Sequence, residues 1–209
     1  MVSTEYLNYN NQKFSKSKGV GITALEALDM YDSDSLRYYL LANGPEKRDT
    51  NFSEEEFAVT HNNEILNKFG NLVNRTLKFK GLNKLPTGQI DPDIMDAIRL
   101  TYIKSGELIE NLEFREAIRT IMELVETANK YYDSREPWKQ IKEDINGFNN
   151  TIYTCSIVIA NLSNLFNPVM PKATQKLKEY LGLSESSWNI IKNLKEVELN
   201  DIQPLFTRI

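Results

Sequence analysis

Cysteine and histidine are almost missing from this sequence: Cys155 and His61 are the only representatives of either type. A lone cysteine excludes an intramolecular disulfide framework and any multi-cysteine zinc site, and it suits a reducing, cytoplasmic location. His61 lies in His-Asn-Asn-Glu, with no cysteine or carboxylate set spaced to share a metal with it, so no metal ligand is expected. No run of 18 apolar residues exists, which argues against a membrane partner. The polar N-terminus carries no apolar signal core. Glycine and proline are scarce, at 9 and 7 of 209 residues, and long stretches have neither. That scarcity disfavours a turn-rich all-β fold.

What is present is helical patterning. Phe114, Ala117, Ile118, Ile121, Met122, Val125, Ala128 and Tyr132 follow steps of three or four, one apolar stripe over five turns. Ser53 with Glu56 reads as a capping box that opens a long helix over about 54–80, ended by Gly81. Thr23 with Glu26 reads as another, before a short helix to Met30, and Asp34 to Ala42 makes a further one. Asp91-Pro92 supplies an N-cap and a first-turn proline for a helix to about Leu112. Helices over 115–133, 137–143 and 148–166 follow, and Pro171 opens one that ends at Leu181-Gly182. Strand signals are confined to the first 22 residues, around Tyr6–Tyr9, and to Thr50–Phe52. The expected fold is mainly α: a small mixed α/β connecting unit over 1–53, then an α-helical bundle over 54–209.

The net charge of −4 argues weakly against a nucleic-acid partner, but the distribution does not. Residues 6–25 and 65–90 contain none of the 29 acidic side chains, where an even spread would place about six. The first window holds Lys13, Lys16 and Lys18; the second holds Lys68, Arg75, Lys78, Lys80 and Lys84. Segregated charge of this kind leaves room for a local polyanion site.

Lys13-Phe14-Ser15-Lys16-Ser17-Lys18-Gly19 is the most informative segment. Ammonium groups on a short Ser/Gly loop gather around phosphates, and hydroxyl and backbone N–H groups add directional bonds. Charge developing on a leaving pyrophosphate is stabilised by such lysines. Taken alone, the string reads as a solvated, flexible basic loop. Asn71 and Arg75, four apart, share one helix face, where an amide reads base edges and a guanidinium stacks or binds phosphate. Taken alone they are an exposed polar face, and Trp138 after Pro137 is a core or staple aromatic.

K-F-S-K-S before glycine resembles the K-M-S-K-S signature of class I aminoacyl-tRNA synthetases, with Phe14 in place of the usual methionine. Asp34-x-Leu36-Arg37-Tyr38-Tyr39-Leu40 is similar to the helix that follows that loop. Gly44-Pro45-Glu46, Asp49-x-Asn51-Phe52-Ser53, Gly70-Asn71-Leu72-Val73-Asn74-Arg75, Glu136-Pro137-Trp138, Asn167-Pro168-x-Met170-Pro171 and Pro204-Leu205-Phe206-x-Arg208-Ile209 resemble the methionyl-tRNA synthetase family in particular. The resemblance implies a class I anticodon-binding domain behind a stem-contact-like unit. It implies catalytic roles for Lys13 and Lys16, and ATP contact by Lys13, Phe14, Ser15, Lys16 and Ser17. It also implies contact with the anticodon of methionine tRNA by Asn71, Arg75 and Trp138. ATP, with Mg2+, and methionine are expected only alongside a catalytic domain bearing the H-I-G-H signature, which a chain whose one histidine is His61 does not contain. The chain therefore reads as the C-terminal part of such an enzyme, inactive alone and with no tightly bound cofactor. The rival readings are a fragment of another class I synthetase, and a stand-alone helical RNA-binding or scaffold protein.

Overall fold

The computed structural model describes residues 4–209, apart from the side chain of Lys16. The N-terminal unit is built on a three-stranded sheet: β1 (Leu7–Tyr9) in the centre, β2 (Gln12–Lys13) antiparallel on one side, and β3 (Thr50–Phe52) parallel on the other. Asn10 and Asn11 turn β1 into β2 with φ of 47° and 61°. Two successive left-handed residues match the twist of a tight hairpin, and asparagine tolerates them well. Between the strands lie α1 (Ala24–Met30) and α2 (Ser33–Ala42). Thr23 and Glu26 form the complete capping box expected of them, and α2, capped by Asp32, starts one residue before the expected Asp34.

Ser53 caps α3 (Glu54–Thr60) as its sequence indicates. The single helix expected over 54–80 is instead three consecutive pieces: α3, a π-helical segment over His61–Gly70, and α4 (Asn71–Leu77). Side-chain periodicity does not distinguish the wider hydrogen-bonding pattern, because Ile65, Phe69 and Leu72 still fall four and three residues apart. The helix stops at Leu77, and Gly81, at φ +88°, serves a later turn closed by Leu82 N–H on the Phe79 carbonyl. The bundle continues with α5 (Pro92–Glu110), α6 (Phe114–Arg135), α7 (Pro137–Glu143), α8 (Ile145–Leu165) and α9 (Pro171–Tyr180). The stripe of α6 is buried as its spacing requires, with Ile118, Ile121, Met122 and Val125 all at 6% exposure or less.

At the centre lies α8, buried on every side from Thr151 to Leu165. Its polar residues are satisfied locally, by preceding segments (Thr151 by Gln140, Thr154 by Gln89 and Asp91) or by the chain that follows. Asn161 pairs with Ile191 through both its amide nitrogen, 2.8 Å from the carbonyl, and its amide oxygen, 2.9 Å from the N–H. Buried Lys178 donates to the Ser163 carbonyl in the last turn of α8 and to the Ser186 hydroxyl. A cation among unsatisfied helix-terminal carbonyls is well placed. Burial raises the Cys155 thiol to about 12, so it is a core group here.

Two motifs far apart in sequence form the joint between the sheet unit and the bundle. Asp34 is buried, and its carboxylate accepts the Ala173 N–H at 2.7 Å, capping an α9 whose own Met170 makes no cap. Arg37 donates to the carbonyls of Val169 and Pro168 at 3.0 and 2.7 Å. A smaller core of Leu36, Tyr39, Phe52 and Phe57 sits beside the joint. The final residues return to the π-helical segment: His61 pairs with Ser35 and the Thr207 carbonyl, and Asn62 clamps the backbone of Ile209.

Candidate nucleic-acid interface

The signature segment is a closed loop. Ser15 and Val20 form an antiparallel bridge with N···O distances of 3.0 Å in both directions. Within it, Lys16–Lys18 make one 3-10 turn and Gly19 adopts φ +64°. Lys13 lies on β2, exposed, with its ammonium 5.4 Å from the centre of the Tyr6 ring. The Ser15 and Ser17 hydroxyls are 3.3 Å apart. Phe14 packs on Tyr9 and on Gly21, where any Cβ would overlap its ring, and it borders an apolar groove of about 480 Å³. The side chain of Lys16, one of the expected catalytic pair, lies outside the described residues.

The second constellation is built where α4 runs beside α6. Asn71 begins α4, exposed, and Arg75 follows one turn later with 20% of its side chain accessible. Both line a cleft of about 310 Å³ whose opposite wall includes Asn129, Lys130 and Asp133 of α6. The guanidinium of Arg75 is held on three sides. It donates to Asp133 Oδ1 and to the Asn129 carbonyl, each at 2.7 Å, and it lies 4.1 Å from the centre of the Tyr132 ring. Its Nε–H has no partner among the described residues.

Trp138 does not line that cleft. It stands on α7 just beyond Glu136, whose φ of 48° breaks α6 from α7, and after Pro137, which is buried at the first helical position. This turn leaves the indole 46% exposed, with its ring centre 6.3 Å from that of Tyr132. Tyr132 thus lies between two of the three expected contacts, Arg75 and Trp138. In the sequence it was visible only as the last apolar position of the α6 stripe. Asn129 and Asp133 carried no signal, because neither the arginine they hold nor its direction is readable from α6 alone. Lys13 and Lys18 do not line this cleft.

Comparison with known proteins identifies the family and the fold. A family model described as tRNA synthetases class I (M) matches residues 1–77, and one described as the anticodon binding domain of methionyl tRNA ligase matches residues 86–202. Methionine–tRNA ligase of Bacillus anthracis (strain CDC 684) is 40% identical over 214 residues, covering 100% of this chain and 39% of the relative. Methionine–tRNA ligase 1 of Alkaliphilus oremlandii is 38% identical over 212 residues, with the same two coverages of 100% and 39%. The crystal structure of Mycobacterium tuberculosis methionyl-tRNA synthetase bound by methionyl-adenylate shares the fold, with a TM-score of 0.89 at 23% identity. That match covers 96% of this chain and 43% of the other.

The helical bundle behind a lysine-bearing hairpin is thus that of a class I tRNA synthetase. More narrowly, the chain belongs to the methionyl-tRNA ligase family and carries its anticodon-binding domain. It spans about two fifths of the length of the curated relatives it matches, 39% in the two named. Among the described residues, no helix is long and apolar enough to cross a membrane.

Proposed function

We propose that the surface of Asn71, Arg75 and Trp138 contacts the anticodon of a methionine tRNA. The observation that carries this reading is the half-exposed indole of Trp138, joined through one tyrosine to an arginine that lines the neighbouring cleft. An exposed aromatic face accepts an unstacked base in any orientation, while the amide of Asn71 and the guanidinium of Arg75 discriminate base edges. The test is competition between transcripts carrying CAU and altered anticodons for the full chain. Displacement by CAU at markedly lower concentration supports the reading, and equal displacement by all transcripts overturns it.

The lysine hairpin belongs to the same reading in a second role. Lys13 and Lys16 would meet the phosphates of ATP, with Phe14, Ser15 and Ser17 shaping the loop. Their charge would act on the pyrophosphate as it leaves, where stabilisation lowers the barrier instead of tightening substrate binding. Mg2+ would accompany ATP, and both would engage only with an H-I-G-H domain alongside. The 209 residues by themselves contain no such signature, so pure protein should show no methionine-dependent pyrophosphate exchange. The division into a stem-contact-like unit at 1–53 and an anticodon-binding domain at 54–209, and a cytoplasmic setting, complete the proposal.

A further inference from the structure

We propose that Tyr132 is the positioning residue of this surface, holding Arg75 and Trp138 in the arrangement that receives RNA; the inference rests on the anticodon reading above. Tyr132 is 4% exposed, so it offers no face to a ligand itself. Its ring lies under the Arg75 guanidinium at 4.1 Å, and its hydroxyl donates to the Arg75 carbonyl at 2.9 Å. One side chain therefore fixes the arginine at both its backbone and its tip. The same ring meets the Trp138 indole with centres 6.3 Å apart and planes tilted by 42°. Burial pushes the phenol up to about 12, so at neutral pH it is an uncharged donor.

Arginine has many rotamers to lose, and a flexible guanidinium must be immobilised when it binds. Here that ordering is complete before any ligand arrives. The negative face of an aromatic ring attracts the cation specifically, so a leucine would fill part of the volume without fixing the charge. A role limited to core packing predicts something else: affinity would fall only as stability fell, with no regard to Arg75.

The test keeps shape constant and changes the ring's electrostatics. Phenylalanine and its successively fluorinated analogues are placed at position 132 of the full chain, in wild-type and Arg75→Ala backgrounds. Affinity for a CAU transcript should fall stepwise with fluorination, by about 3- to 10-fold across the series, a span set by the strength of such contacts. Melting temperature should stay nearly constant. The series should be flat in the Arg75→Ala background, where no cation remains to be held. Tyr132→Leu should fold and lose affinity to a similar extent, and Tyr132→Phe should recover most of it. A flat series in the wild-type background, or equal slopes in both, overturns the inference. If the wild-type chain does not prefer CAU, the anticodon reading fails and takes this proposal with it. If the preference holds while the series is flat, Tyr132 alone is refuted.

Discussion

The two windows that lack acidic residues end in different electrostatic surroundings. In 65–90, three of the five cations are paired. Lys68 meets Glu126 at 2.6 Å, Arg75 meets Asp133 at 2.7 Å and Lys84 meets Glu196 at 2.7 Å. Two of those acids stand on α6, which runs beside the window's helix. In 6–25, Lys13 and Lys18 are exposed and form no ion pair among the described residues. Lys13 finds only an aromatic face. The difference follows from depth of packing: a bundle helix lies against neighbours that bring carboxylates to it, while a two-residue edge strand and its loop face water. A window free of acids therefore does not by itself mark free cations, because elements packed against it can supply the carboxylates.

The largest expected effect tests whether α6 sustains the paired window. Ile121 is 1% exposed on the core face of α6, and Ile121→Ala should destabilise the chain by about 2–5 kcal/mol in a denaturant titration. A change below about 1 kcal/mol would mean that α6 is not held by its stripe. Next comes the exposed edge of the same surface. Trp138→Ala should weaken binding of a CAU transcript about 5- to 150-fold, the worth of one stacked base, with the melting temperature nearly unchanged. A large loss of thermal stability would show the indole to be a packing group despite its exposure.

A smaller effect tests the joint between the two regions. Asp34→Ala removes the acceptor for the Ala173 N–H and should cost about 0.5–2 kcal/mol, as for other lost helix caps. Burial raises the Asp34 carboxyl above its ordinary 3.8, opposed in part by that N–H and reinforced by Asp32. The folded state then keeps its proton to higher pH than the unfolded chain does. Stability contributed by the protonated form is complete below 3.8 and is lost as pH rises through the folded value. Against Asp34→Asn, which does not titrate, the parent should lose ground across that interval and run parallel above it. Thermal melts as a function of pH would reveal the opposite slope if the carboxyl were held low.

The smallest effect concerns the pairs themselves. Lys68 and Glu126 are 40% and 41% exposed, and Lys68→Met should change stability by less than about 1 kcal/mol. Because Lys68 is already neutralised, the salt dependence of RNA binding should not change either. Removing Lys78, exposed and without an ion pair among the described residues, should lower that slope by up to about 0.9 if it meets a phosphate. Equal salt slopes for the two variants would erase the distinction between paired and free cations.

Much of this molecule is written locally. The capping boxes at Thr23 and Ser53, the Asp91-Pro92 start and the α6 stripe depend on residues within a turn or two of each other, so their physics is complete in a short window. Family membership was equally legible, because the lysine loop and the later motifs are strings whose order is itself the evidence. Asn71 and Arg75 could be placed on one face for the same reason. The π-helical segment was not legible, since ten residues with helical spacing satisfy either hydrogen-bond pattern.

Three further features depended on groups that no local window contains. Asp34 was read as part of a helix start, yet it caps a helix 139 residues away. Arg75 had no visible partner within its own window, yet Asp133 and Tyr132 hold it from 58 and 57 residues off. His61 stood alone in the sequence and proves to be a buried clamp on the returning tail. The sequence by itself determined where the capped helices at Thr23, Ser53 and Asp91 start, which faces are apolar and which family the chain joins; the helix expected from 148 begins at Ile145, behind an Asp144 cap. The tertiary structure alone decided which charges are neutralised, which helix ends are capped from afar and which aromatic stays exposed. Those outcomes are set by contacts between elements, and local propensity is blind to them.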